Sequence, residues 1–222
     1  MLAIDKPAGV LTVPGRGEDA PALSEQVRAL APEALPVHRL DRDTSGVVLF
    51  ATNPDAHRAL NRAFESRRAE KTYSALVQGD VERAQRVDLA IGETRGGRVR
   101  PGGKGARPAQ TRIEPHERFG RYTLCECHPR TGRRHQIRIH LAAIGHPLAV
   151  DPPYGGAKEL RVGDLWTGAP DPDTMVLDRT PLHAAALRIP HPSGRGWLRV
   201  ESPLPDDMAR CLDLLRAARR YG

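Results

Sequence analysis

Residues 37–51 read VHRLDRDTSGVVLFA. The first ten carry a histidine, two arginines and two aspartates and close on Thr44-Ser45-Gly46. The rest, from Gly46 to Ala51, holds no polar side chain and reads as a strand buried on both faces. A carboxylate at the mouth of such a strand must be paired or neutralised, because desolvating a lone charge is costly. Arginine is the natural partner, being permanently charged and offering a forked donor geometry. Two readings follow from these residues. In the commoner one, an ion pair fixes the loop and Asp43 is a turn residue. In the other, an arginine keeps an aspartate ionised and aimed, as a nucleophile requires.

Working outward, residues 9–13 (GVLTV) read as a strand ended by Pro14-Gly15. Leu23, Val27 and Leu30 recur at helical spacing, which predicts a short helix over 21–30. Asn53-Pro54 is a helix start, with Asn as cap and Pro in the first turn. Ala56, Leu60, Ala63 and Phe64 give that helix one apolar stripe. Residues 72–79 read as a strand with Tyr73, Ala75 and Val77 on one face, and 121–128 as another. A helix over 133–144, capped by Thr131 and ended by Gly145, turns Ile137, Leu141 and Ile144 inward. Strands at 182–189 and 197–201 and a helix over 206–219, built on Met208, Leu212 and Leu215, complete the pattern. Residues 95–107 and 155–181 read as loops. The order lacks a strict βαβ rhythm, so the expected class is α+β: a mixed, mainly antiparallel sheet flanked by helices. No internal repeat or linker stands out, which predicts one catalytic domain over 1–222.

The chain has 34 Lys and Arg against 27 Asp and Glu, a net charge of +7. That surplus points toward a polyanion or an acidic substrate once it is clustered. It is clustered. Residues 128–140 hold four arginines and three histidines with no acid, and 95–107 hold five cations among five glycines. Helical spacing puts Arg134 and Arg138 on one face, and a cationic helix start suits phosphate. The plainer reading is a solvated basic face. Against it, Arg138 lies between Ile137 and Ile139, which asks for an anion; Asp41 is the candidate. Three cysteines, no leader-like N-terminus and no membrane-length apolar run predict a cytoplasmic protein without disulfides.

Several of these stretches together resemble the RluA family of pseudouridine synthases. HRLD (38–41) followed by TSG (44–46), and GRRHQIRIHLAAIGHPLAVDPPYG (132–155), are similar to the family's paired signatures. KPAGVLTVPGR (6–16) is similar to its opening motif, EKTYSALVQG (70–79) to its tyrosine-bearing strand, and RPAQT (107–111) to a further segment. The likeness is closest to the RluA branch, whose members act on ribosomal and transfer RNA, without the S4-type domain of some relatives. The resemblance implies that Asp41 is the catalytic nucleophile, that Arg138 pairs with it and that Tyr73 packs against the target base. It implies that Arg39 enters the RNA stack to displace the uridine. His38, Arg133, Arg134, His135, Lys104 and Arg107 join the RNA-binding set. The partner implied is an rRNA or tRNA stem-loop, met by a monomer. The reaction breaks the C1′–N1 bond and rejoins uracil through C5, with no atom gained or lost and no net redox, so no cofactor and no metal are expected. Extracting a stacked base costs a few kcal/mol, which stacking and cation–π contacts offset.

Two rivals stand beside this. Cys125, Cys127 and His128 in CECH suggest a metal site, but alternation splits the thiols from the imidazole and no second ligand pair is visible. A non-catalytic RNA-binding protein is the other, weakened by an aromatic content of 4%, thin for a stacking platform.

Overall fold

The computed structural model describes every residue except Arg16, Glu18, Asp19 and Gly222. The end of the 6–16 motif, Arg16, thus lies outside the described residues. The chain opens with β1 (Leu2–Lys6), α1 (Leu23–Leu30), β2 (Leu35–Pro36), β3 (Ser45–Ala51) and α2 (Pro54–Glu65). It continues through β4 (Glu70–Gln78), β5 (Gln85–Asp88), β6 (Ile91–Glu93), β7 (Val99–Pro101), β8 (Gln110–Arg118) and β9 (Tyr122–Pro129). Then come α3 (Gln136–Ala143), β10 (Leu160–Arg161), α4 (Val162–Leu165) and β11 (Met175–Leu177). The chain closes with β12 (Leu182–Pro190), β13 (Trp197–Glu201) and α5 (Asp206–Tyr221). Among the described pairings β3 and β12 run parallel and the others antiparallel, so the class is mixed and mainly antiparallel with flanking helices.

The chain forms two compact units. The first joins Met1–Thr72 to His183–Pro203, and the second joins Tyr73–Leu182 to the segment from Leu204 onward. In the first unit β3 is the spine. It pairs with β1, β2 and β12, and all seven of its residues are buried. Val47, Leu49 and Ala51 meet the α2 stripe of Ala56, Leu60 and Ala63, with Phe64 against its edge, as the spacing predicts. Asn53 caps α2 by accepting the Ala56 N–H at 2.8 Å. Gly46 has φ +109, and a Cβ there would sit 2.7 Å from the Ala184 backbone nitrogen, so only glycine lets β3 and β12 approach.

The second unit carries β4, β9, β8 and β5 side by side, all antiparallel. Alternation gives β4 and β9 two apolar faces. Ala75, Val77, Cys125 and Cys127 meet Ile137 and Leu141 of α3, with Tyr73 packed at the margin. Leu76 and Leu124 meet Leu160, Leu177 and the Met208–Leu212–Leu215 stripe of α5.

Five expectations are corrected. Residues 9–13 form no strand; their carbonyls are drawn elsewhere, Leu11 and Thr12 accepting the Leu23 and Ser24 N–H groups at the start of α1. Leu30 is 91% exposed, because α1 ends there before its stripe completes a further turn. The helix expected from 133 begins at Gln136, since His135 is left-handed at φ +53. Arg134 therefore shares no helix face with Arg138. Residues 95–107 contain half of a ribbon, β6 against β7, seated by Val99 beside Ile91, Ala109 and Ile139. Residues 155–181 hold the β10–β11 pair with α4 between its strands.

Candidate active site

The sequence before β3 is polar because it is a fastening as well as a turn. Asp41 opens a four-residue turn closed by the Thr44 N–H on the Asp41 carbonyl at 3.2 Å. Asp41 is partly buried, while Arg39, Arg42 and Asp43 are exposed. Lys6, with no exposed surface, reaches under this turn from the end of β1. Its ammonium donates to the carbonyls of Pro7, Val10 and Arg42 at 2.7–2.8 Å. Gly9 donates to the same Arg42 carbonyl at 3.0 Å. The Thr12 hydroxyl accepts from Leu40 N–H and donates to Leu40 C=O, both at 3.0 Å. The opening motif thus holds the aspartate-bearing loop at both ends, a role its composition does not reveal.

Behind the turn, Ser45 meets His183 Nδ1 at 3.0 Å, and His183 Nε2 lies 3.2 Å from the Ser202 carbonyl. A carbonyl only accepts, so Nε2 carries the proton and Nδ1 accepts from the Ser45 hydroxyl. Ser202 in turn donates to Asp5 at 2.7 Å. This polar chain ties β1, β3 and β12 together where the loop enters the sheet.

His38 is partly buried and accepts the Leu49 N–H through Nε2 at 3.1 Å, its ring 4.9 Å from that of Phe64. Burial, and then the nearby Lys71 ammonium, push its pKa down from 6.5 to about 3. Burial also lowers Lys71 to about 8. His38 is therefore a neutral brace of the loop, and Lys71 is a partly buried cation that sequence reasoning missed.

In the second unit Tyr73 stands on β4 opposite Cys127, half in the apolar layer of Ala75 and Val77. Arg138 sits in the first turn of α3. It forks onto Asp151, Nε to Oδ2 at 2.8 Å and Nη2 to Oδ1 at 2.6 Å. Asp151 has no exposed side-chain surface and Arg138 has 11%. The guanidinium also lies 5.0 Å over the Tyr154 ring, a cation–π contact. Tyr154 OH is 2.8 Å from His135 Nδ1 and 3.3 Å from the Val99 carbonyl. Asp151 and Tyr154, both in the DPPYG segment, were not singled out from the sequence. Their signal was the neighbouring apolar run, which demands a counter-charge for any buried acid.

The start of α3 is set by Gln136. Its Oε1 accepts from the Thr131 hydroxyl at 2.7 Å and from the Arg133 N–H at 3.0 Å. Its Nε2 donates to the Gln110 carbonyl and to Thr111 at 2.9–3.0 Å. Thr131 thus braces the helix through a side chain instead of capping it. Of the basic cluster, Arg133 donates to the Pro108 carbonyl at 3.2 Å, and Arg134 lies 3.4 Å from Glu93 and donates to the Gly97 carbonyl. His140 is buried, with Nδ1 2.9 Å from Thr111 and Nε2 3.0 Å from the Leu89 carbonyl; burial lowers its pKa. Lys104 and Arg107 are exposed beyond β7.

Cys125 and Cys127 face the same apolar layer, and burial pushes the Cys125 thiol up to about 12 and holds Cys127 well above the usual thiol range. Neutral thiols in a packed core are poor metal ligands. His128 lies instead 3.7 Å from Glu126, on the opposite face of β9.

Comparison with known proteins bears on the same residues. Residues 1–143 match the family model for RNA pseudouridylate synthase. The ribosomal large subunit pseudouridine synthase D of Nitrosomonas europaea is 39% identical over 236 residues, covering 97% of this chain and 63% of that protein. Synthase C of Escherichia coli K12 is 38% identical over 227 residues, covering 99% and 68%. The chain therefore spans about two thirds of these relatives. The structure of human RNA pseudouridylate synthase domain containing 1 superposes with a TM-score of 0.70 at 26% identity, covering 99% of this chain and 91% of that one. The human domain containing 4 shares the fold, with a TM-score of 0.74 at 22% identity. The stretch that builds the Asp41 turn, the Tyr73 strand and the Arg138 helix is the stretch the family model covers, and the chain belongs to the RNA pseudouridylate synthase family.

Proposed function

We propose that the chain is an RNA pseudouridine synthase that isomerises specific uridines in ribosomal RNA. The observation that carries this is Asp41: a carboxylate at the head of a turn fastened to the backbone at several points, inside the family-matched region. A carboxylate so held loses little entropy on meeting a base, which is what a nucleophile needs. In this reading both units make one catalytic domain working as a monomer in the cytoplasm. Asp41 attacks the target nucleoside at C1′ or C6. The C1′–N1 bond breaks, uracil turns and C5 joins C1′. The C5 proton then leaves and N1 gains one. By the family motifs Arg138, held by its Asp151 fork, is the arginine partnered with the nucleophile. Tyr73 supplies a ring face to the flipped base. Arg39 takes the vacated place in the RNA stack. Lys104, Arg107, Arg133 and Arg134 meet phosphates, with His38 and His135 holding the loops that carry them.

The test is tritium release from large-subunit ribosomal RNA labelled at uridine C5. The wild-type chain should release label, and Asp41→Asn should bind the same RNA but release label at least about a thousandfold more slowly. Near-wild-type release by Asp41→Asn overturns the assignment. If both proteins bind and neither releases label, the chain is an RNA-binding protein without this activity.

A further inference from the structure

The first unit carries a feature that the uridine chemistry leaves unused. Trp197, one of two tryptophans, is 45% exposed on β13. Alternation sends Trp197, Arg199 and Glu201 outward and leaves Leu198 and Val200 against the core. The Arg188 guanidinium lies 4.4 Å from the indole centroid and that of Arg68 lies 5.6 Å away. Arg195 is exposed in the β12–β13 connection, and Arg67 is exposed beside Arg68. Glu70 pairs with Arg188 at 3.0 Å and Glu201 with Arg199 at 2.7 Å. Arg67, Arg68 and Arg195 remain as a cationic surplus.

Two details show the fold spending stability to keep cations here. The register sets Arg188 directly opposite Arg199, a like-charge pair whose repulsion Glu70 and Glu201 offset only in part. Arg67 adopts φ +59 at the end of α2, where its N–H meets the Phe64 carbonyl at 3.1 Å. Glycine fills such a position without strain and arginine does not. A face that merely solvates the hairpin needs neither. An exposed indole ringed by arginines matches what a single-stranded nucleic acid presents: a π-face at each base and a charge at each phosphate.

We propose that the outward face of the β12–β13 hairpin, centred on Trp197, is a second RNA-contact surface that takes a single-stranded segment of the substrate. It rests on the RNA-modifying reading above and adds to it where RNA is gripped apart from the reacting uridine. Trp197 stacks on a base, and Arg68, Arg188 and Arg195 meet the adjoining phosphates. Tryptophan and arginine also mark protein interfaces, but the surplus charge favours a polyanion.

The experiment uses the full chain, a fluorescein-labelled single-stranded RNA of about 12 nucleotides, and C5-tritiated ribosomal RNA. Trp197→Ala should weaken binding of the labelled strand about tenfold, while Trp197→Phe keeps most of it. Arg68→Ala and Arg188→Ala should each lower the salt dependence of binding by about one charge. In tritium release, Trp197→Ala should raise KM and leave kcat unchanged. The phenylalanine and arginine variants decide the matter if Trp197→Ala does not fold. Binding by Trp197→Ala within about twofold of wild type overturns the proposal and leaves the face to a protein partner. A fall in kcat at constant KM also overturns it. Should the wild-type chain release no tritium while the binding losses hold, the activity assignment fails and this surface stands.

Discussion

The turn that carries Asp41 and the helix that carries Arg138 are both polar ground beside a buried core, yet they are fixed by opposite means. The turn is held through backbone groups: Lys6 on three carbonyls, Thr12 on both groups of Leu40, Gly9 on Arg42. The helix end is held through side chains: Gln136 braces its start, and a buried carboxylate, Asp151, grips Arg138 by two bonds. Backbone acceptors keep their partial charge whatever the sequence does around them. A charge gripped by a carboxylate loses that grip when the one residue changes. The Arg138 end should therefore be the more brittle of the two.

The largest effect should come from Asp151→Asn. It takes the forked Asp151 carboxylate from the Arg138 guanidinium, which is 11% exposed. Removing one member of a buried pair costs about 3–5 kcal/mol, more than the pair itself is worth. Urea unfolding of the full chain should show this as a lower midpoint at unchanged slope. Arg138→Met added to Asp151→Asn should recover much of the loss, because the buried Arg138–Asp151 fork is then removed whole instead of halved. A loss under about 1 kcal/mol for Asp151→Asn would erase the contrast between the two ends.

A smaller loss is expected at the Asp41 end from Lys6→Met. Three carbonyls lose a charged donor, each such bond being worth about 1.5–3 kcal/mol. The same change relieves the cost of burying an ammonium, which offsets much of that sum. The net expected is about 2 kcal/mol in the same urea experiment. Tritium release, measured where the variant is folded, should fall mainly in kcat, because the Asp41 turn loosens while the RNA contacts remain. A variant as stable and as fast as wild type would mean that Thr12 and Gly9 hold the loop alone.

Much of this contrast could be read from the sequence, but unevenly. β3 and α2 were legible because an unbroken apolar run and an Asn-Pro start followed by a helical stripe are local signals. The two faces of β4 were legible from alternation, with Ala75 and Val77 on one side and Leu76 on the other. The start of α3 was not, because Gln136 is fixed by Gln110 and Thr111 from a distant strand, and spacing cannot report a contact across the chain. β8 was missed for a related reason. It turns little but Thr111 and Ile113 inward, and a register shift near Pro115 breaks its alternation. The ribbon at 91–101 hangs on the buried Val99 amid glycines. At the site, the residues alone favoured a loop-fixing ion pair for Asp41; the nucleophile came from the family motifs. Asp151 showed only as an acid beside an apolar run, because its need for Arg138 arises only once both are buried.

The smallest effect, and the sharpest test of the comparison, lies with His38. Its bond to the loop strand is lost on gaining a proton: Nε2 accepts the Leu49 N–H only while unprotonated. In the folded chain its pKa is about 3, set by burial and then by Lys71, against an ordinary value of 6.5. The unfolded chain therefore takes up this proton first as pH falls. The stability contribution is intact above about pH 6.5, declines as pH drops toward about 3, and is gone below that. Between about pH 7 and about pH 5.5 the loss attributable to this group is about 1 kcal/mol. His38→Gln keeps an acceptor for Leu49 and removes the titration. Its unfolding free energy should fall less with acid than that of the wild type over the same interval. Parallel pH profiles for the two proteins would mean that the imidazole titrates freely, and that acid reaches the Asp41 loop by another route.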